Sequence, residues 1–415
     1  MEEHLRFVIH RIKEKLWFRP LIFCIISIGS ALIAQLADRT RLHELVPDIK
    51  VESLSELLNI ISASMLVIAI FTVGSMLSAF AAASNTATPR SFKLIINDDV
   101  SKNALSVFIG SFIFSIVALV ALKNGYYGRA GLFTLFVFTL LFFTLVILTF
   151  LRWVERISKL GRMGHTIKLI EDTTISAITN RLQSPNLHGI PVDQHRSSGQ
   201  NIESPSTGYI QQINMNALQK IAKNMNAIFT LHVIPGKFVS NQQTLLSFHS
   251  SNEKIDLDIG KIQEAFTIGN SRYFETDPRF GIITLSEIAS RALSPAVNDP
   301  GTAIQIINSH IKLFSIWNSV KQENKDEDII YDRIAVPEIE IADLFEDAFR
   351  PIARDGAANI EVMLRLQKAF HILSTNNNKD ISLASYFHSS QAFDRAELVM
   401  NLEADIMLLK ENCLI

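Results

Sequence analysis

Four charged side chains in the second half of the chain have the types needed for proton transfer or anion binding: Arg272, Asp277, Arg291 and Asp299. Brought together, two carboxylates and two guanidiniums could act as general acid and base around an anionic substrate, and the same groups make structural ion pairs equally well. The densest string is Arg291-Ala-Leu-Ser294-Pro295-Ala-Val-Asn298-Asp299-Pro300-Gly-Thr302. Its hydroxyl and amide oxygens, two prolines and an Asn-Asp pair fall between two helical patterns, so backbone donors converge on one turn. Such a turn can receive an anion or polar ligand at the second helix's N-terminus, or it can be a tightly capped corner. Both readings stand.

The elements that position these residues are legible nearby. Thr284-Leu-Ser-Glu287 has capping-box spacing and opens an apolar-periodic run to Leu293, so a helix is expected to begin there. Asp299 followed by Pro300 fits an N-cap with proline in the first turn, and Ile304, Ile307, Ile311, Leu313 and Phe314 supply a buried face behind them. Upstream, Tyr209–Ile213 alternates like a strand, Asn216–Asn226 has helical period, and Ile228–Ile234 alternates again before the Pro235-Gly236 turn. Residues 338–374 and 391–411 read as helical, with polar connections over 321–336 and 375–380.

Other chemistry is not signalled. No phosphate-binding glycine loop is present, since position 231 before Gly236-Lys237 is leucine, and Gly-x-Gly-x-x-Gly and Gly-x-Ser-x-Gly are also missing. The eleven histidines are scattered, with His232 and His249 far from either cysteine, so neither a metal site nor a cofactor is expected. The net charge of −2 and the lack of a basic block with interleaved aromatics exclude a nucleic-acid binder. Two cysteines, Cys24 and Cys413, exclude a disulfide framework.

What dominates the chain is apolar length. Four stretches, 20–37, 57–89, 103–122 and 130–151, carry no charged side chain. A hydrocarbon layer of roughly 30 Å needs about 20 apolar residues in a helix, and an isolated segment can satisfy its backbone there only as a helix. Four membrane helices are therefore expected, at about 20–37, 57–83, 103–122 and 130–151. No signal-peptide cleavage pattern follows the first stretch, so it is read as retained. Before it, Leu5, Val8, Ile9, Ile12 and Leu16 form the apolar side of an interfacial helix, with Trp17 at headgroup level. Lys and Arg near the spans number thirteen on the side of the N-terminus and five on the other, which places both termini in the cytoplasm.

After the fourth span, the apolar period from Leu151 to Ile170 continues with charges between, which predicts one helix running out of the membrane. Residues 183–206, rich in Ser, Pro, Gly, Asn and Gln, read as a linker. The expected organisation is a membrane domain over 1–180, this linker, and a cytoplasmic domain over 207–415. The fold class is an all-α four-helix membrane portion followed by a mixed α+β, helix-rich domain.

The second stretch, 33 residues without charge, would extend roughly 50 Å as a helix, more than a bilayer needs. Thr72, Ser75, Ala79, Ala82 and Thr86 place small or hydroxylated residues along one side of it. Such a side packs closely against another helix, or lines a wet pathway in a homo-oligomer. No Asp, Glu, Lys, Arg or His lies inside any stretch, which argues against a proton-coupled pump.

Ala292-Leu-Ser-Pro-x-x-Asn-Asp-Pro-x-Thr-Ala303, preceded by Gly269-x-x-Arg272, Asp277 and Phe280-Gly281, resembles the signature of a bacterial predicted-membrane-protein family, a domain of unknown function. Gly208-Tyr209, Pro235-Gly236-Lys237-Phe238-Val239 and the Ala83–Arg90 helix exit are similar to further elements of that family, so the likeness covers nearly the whole chain. It departs at Lys237, where an acidic residue is usual, and at Tyr273, where threonine is usual. The resemblance implies four membrane helices and a cytoplasmic C-terminal domain, and it brings no activity.

The sequence thus leads to a multi-pass protein of the bacterial inner membrane, in contact with lipid. Three classes compete. One is a homo-oligomeric pore built partly from the second helix and controlled by the cytoplasmic domain. Another is a membrane-anchored scaffold or binding protein for a small ligand the sequence does not name. The third, an enzyme using Arg272, Asp277, Arg291 and Asp299, has no supporting motif.

Overall fold

The computed structural model describes residues 17–39, 46–86, 88–96, 98–192, 199–250, 258–323 and 329–414. The interfacial helix expected before Trp17 lies outside them. The chain forms two compact units, divided after Thr166.

The first unit holds four helices long and apolar enough to cross a membrane: α1 (Phe18–Leu36), α2 (Val51–Thr86), α4 (Asp99–Lys123) and α5 (Arg129–Lys159), with a short α3 (Phe92–Ile96) between the second and third. Each covers all or most of one of the four uncharged stretches. The helix α4 is central and packs against α1, α2 and α5. Its face toward α1 is small because the backbones approach closely: a Cβ at Gly110 would lie 3.0 Å from the Phe23 Cβ and 3.2 Å from the Ser27 hydroxyl. On α1, Ser27, Ala31 and Ala34 are correspondingly buried. Larger side chains fill the rest, with Phe114 stacked on Phe142 at 4.4 Å and Trp153 buried beside Phe108.

Both ends of this bundle are fixed by polar groups. At one, Asp98 accepts the Ser101 N–H at 2.9 Å to cap α4 and also takes the Arg156 Nε at 2.7 Å, while Arg19 reaches Asp99 and Asn103. At the other, Asp38 accepts the backbone N–H groups of Gly128 and Gly131, each at 2.7 Å, and so caps α5 from beyond the end of α1. A side chain on either glycine would collide with that carboxylate.

The single helix expected across residues 151–170 is broken. The helix α5 ends at Lys159, Gly161 takes a φ of +89°, and α6 (Met163–Gln183) starts afresh. Glycine adopts that backbone without a Cβ penalty, and this is why an unbroken apolar period fails to give an unbroken helix.

The second unit is mixed. A five-stranded sheet has the order β1 (Gly189–Pro191), β8 (Tyr331–Val336), β4 (Ala227–Leu231), β6 (Thr244–Ser250), β2 (Gln200–Glu203). A three-stranded antiparallel sheet has the order β5 (Phe238–Val239), β3 (Gly208–Ile213), β7 (Phe266–Gly269). Phe229, Leu231, Leu246, Phe248 and Ile334 pack with Leu218 and Ala222 of α7 (Met215–Asn224) to form one core; α8 (Ile259–Gln263) follows β6. The strands β1 and β2 fall inside the stretch that reads as a linker, and β8 inside the polar connection 321–336. Their few apolar residues are too short a signal against polar neighbours.

The helices α9 (Pro278–Ala292), α10 (Pro300–Glu323), α11 (Ile341–Asp355), α12 (Ile360–Ser374) and α13 (Lys379–Glu397) pack around Phe314, Phe345, Phe349 and Phe370, followed by α14 (Glu403–Glu411). The helix expected to start at Thr284 begins earlier, after Asp277 with proline in the first turn; Thr284 is mid-helix, its hydroxyl donating to the Phe280 carbonyl. The 338–374 run is two helices, parted at Gly356–Asn359.

Candidate functional site

The four charged residues singled out in the sequence are not one cluster. Arg272 and Asp277 precede α9, whereas Arg291 and Asp299 lie at its C-terminal end. A helix of 15 residues puts roughly 22 Å between those ends, longer than a small substrate, so no acid–base pair forms across them.

At the first end, Arg272 donates to both oxygens of Asp277, at 2.5 and 3.0 Å, and stands over the Phe280 ring at 5.4 Å. Asp277 is only 2% exposed and makes no helix-cap bond of its own. At the other end, the turn uses its donors internally. Asp299 accepts the Thr302 N–H at 3.1 Å and the Thr302 hydroxyl at 2.6 Å, and these bonds hold its carboxyl below the usual range. Ser294 donates to the Arg291 carbonyl, and Asn298, at φ +48°, donates its N–H back to Ser294. Pro295 is exposed, Arg291 is exposed, and Pro300 opens α10. The geometry is that of a closed helix–turn–helix corner.

On α2, Thr72 is fully buried within the bundle and donates to the Ile68 carbonyl at 2.7 Å. Ser75 and Ala79 are half-buried, Ala82 is exposed, and the Thr86 side chain lies outside the described residues. The broad exposed side of α2 is apolar, with Ile60, Val67, Ile70, Phe71 and Leu77.

A serine–histidine pair, unforeseen in the sequence, lies in the helical core of the second unit. Ser286 donates its single hydroxyl hydrogen to the Ala348 carbonyl at 2.9 Å, so the His310 Nε2, 3.1 Å away, carries the proton and donates to Ser286. Burial pushes His310 down to about 3. A ring whose facing nitrogen is already protonated cannot take the serine's proton, so the pair holds the core rather than performing acyl transfer. Among the described residues, no group of three or more His, Cys, Asp or Glu is arranged to hold a metal.

One cavity stands apart. It measures about 570 Å³, within the usual range for small-molecule sites, and lies among α6, α10, α11 and α13. Leu182, Trp317, Ile341, Leu383 and Phe387 give it an apolar wall, and Arg181 lines it. Arg181 is 6% exposed, and its Nη1 has no hydrogen-bond partner. Burial lowers its pKa to about 10, partly countered by the Asp277 charge, so it remains a cation at neutral pH. Beside it, burial pushes His388 down to about 4, which leaves the imidazole neutral. Sequence reasoning missed Arg181 because a single arginine on an amphipathic helix resembles a solvated one.

The pattern of one protein family, described as "Predicted membrane protein (DUF2254)", matches residues 13–371. The chain belongs to this family. The matched stretch of this DUF2254 protein takes in all four apolar helices, Arg181, and both ends of α9, and it stops short of α13. Over 41 residues the chain is 54% identical to an uncharacterized protein of Mycobacterium bovis and to uncharacterized proteins of two Mycobacterium tuberculosis strains. That match covers 10% of this chain and 8% of each relative. No solved structure matches.

Proposed function

We propose that the chain is a membrane-embedded binding protein, in which the four-helix unit anchors a second unit that takes a small ligand in the Arg181 cavity. The observation that carries this is Arg181: nine-tenths buried, charged, and lacking a hydrogen-bond partner for Nη1, while the residue lines a cavity of ligand size. A buried cation with a donor left unsatisfied is costly even with Asp277 in its field, and a ligand that accepts from it recovers part of that cost. The test is a ligand screen by thermal stabilisation of the full chain in lipid nanodiscs, with Arg181→Gln as control. Stabilisation that Arg181→Gln abolishes supports the reading, and a screen in which no compound acts through Arg181 defeats it.

A second reading is the homo-oligomeric pore. Its support is α2, whose 36 residues extend about 54 Å and present an apolar side wide enough for lipid or for a second copy. Against it, Thr72 is buried and its hydroxyl is bonded within its own helix. Reconstitution into planar bilayers decides the matter: flux equal to that of empty lipid across voltage and tension removes the pore. In either reading the protein sits in the bacterial inner membrane with both termini cytoplasmic, on the strength of its Lys and Arg distribution. Reporter fusions to the two ends check that orientation.

A further inference from the structure

The wall of the cavity also contains the start of α11. Glu340 occupies the N-cap position without a side-chain cap bond, and Glu340, Ile341 and Ala342 all line the space. The first N–H groups of a helix carry partial positive charge and have no partner within it. An uncapped helix start and the buried Arg181 thus line one volume whose apolar wall includes Leu182, Trp317, Leu383 and Phe387.

The geometry points to an amphipathic anion as the occupant: one apolar body ending in a single carboxylate or phosphate, with the head held between Arg181 and the α11 N-terminus. This rests on the binding reading above. The acidic residues around the cavity do not oppose it. Glu338, Glu340 and Asp380 are exposed, where water and salt screen them, and Glu346 is held by Arg350 at 3.1 Å. Arg181 acts from a buried position, where a charge pair is felt far more strongly. The acidic rim instead disfavours multiply charged anions without an apolar body, which would have to pass it.

The experiment uses the full chain in nanodiscs of zwitterionic lipid, with empty nanodiscs as background. Dodecanoate, dodecyl phosphate, dodecanol, dodecylamine and inorganic phosphate are titrated against wild type, Arg181→Gln, and Leu383→Glu/Phe387→Glu. The latter pair is 69% and 55% exposed, so the two glutamates bring no charge into the buried core. Saturable binding of dodecanoate or dodecyl phosphate, weakened about tenfold to a hundredfold in Arg181→Gln and likewise by the two glutamates, is the expected result. Which of the two binds more tightly separates a carboxylate head from a phosphate head. Should Arg181→Gln fail to fold, the Leu383→Glu/Phe387→Glu variant and the dodecanol comparison still decide. Equal binding of dodecanol or dodecylamine overturns the anion while leaving the cavity a binding site. Equal binding of inorganic phosphate overturns the apolar body. No saturable binding of any probe overturns the ligand class, and the binding reading falls separately if the wider screen is also silent.

Discussion

Gly236 lies directly against the Asp277 carboxylate, so that any side chain at position 236 would enter the space of its oxygens. The glycine is also held at φ +96°, where a Cβ is strained. Two constraints act on one position. Gly236→Ala is expected to cost about 2–5 kcal/mol, from left-handed strain plus overpacking, seen as a melting temperature lowered by several degrees in detergent. A melting temperature equal to wild type would show that the turn relaxes freely.

Asp277 is shared unequally between two arginines, bonded to Arg272 and leaned on electrostatically by Arg181. Asp277→Asn leaves two guanidiniums short of a counter-charge, with an expected loss of about 3–5 kcal/mol. Arg272→Met leaves the carboxylate with Arg181 still near, so its loss should be smaller. Urea titration of both variants checks the order, and a reversed order refutes the arrangement.

How much of this was readable beforehand depends on signal length. The four long apolar helices follow from uncharged runs of about 20 residues or more, a pattern with few alternatives, and Gly208–Ile213 and the Asp299-Pro300 helix start follow from local period and capping chemistry. The strands Gly189–Pro191 and Gln200–Glu203 did not, because short segments in a polar stretch gain their stability from partners distant in sequence. The motif residues were identified but their grouping was not. Arg272 and Asp277 meet, while Asp299 is a helix length away, and only tertiary structure sets that. Arg181 became visible only when helices far apart in sequence enclosed it.

His388 should make the fold acid-sensitive. Its folded pKa, about 4, lies below the ordinary value of 6.5, so in that interval the unfolded chain binds the additional proton. Stability is therefore complete above about pH 6.5 and falls as pH drops toward 4, by on the order of 3 kcal/mol from this group. His388→Leu should flatten the stability profile between pH 7 and 4.5 relative to wild type. An unchanged slope in denaturant titrations at those pH values would remove His388 as the cause.

Ser286 is a structural hydroxyl. Ser286→Ala deprives the Ala348 carbonyl of its donor and the His310 Nε2–H of its acceptor, with an expected loss of about 2–4 kcal/mol. A serine-directed phosphonate should leave the native protein unmodified at this residue by mass spectrometry. Stoichiometric labelling would mean that the imidazole can accept the proton after all.

The bond between Asp38 and the amides of Gly128 and Gly131 also says something about biogenesis. These partners are 90 and 93 positions apart, so the carboxylate leaves the ribosome long before its donors exist. During translation the first apolar helix is therefore complete before the last one, which supplies those amides, has been made. Final registration of the bundle is thus a step that follows synthesis of all four helices, and a nascent chain arrested before Gly128 would hold its first helix without that lock.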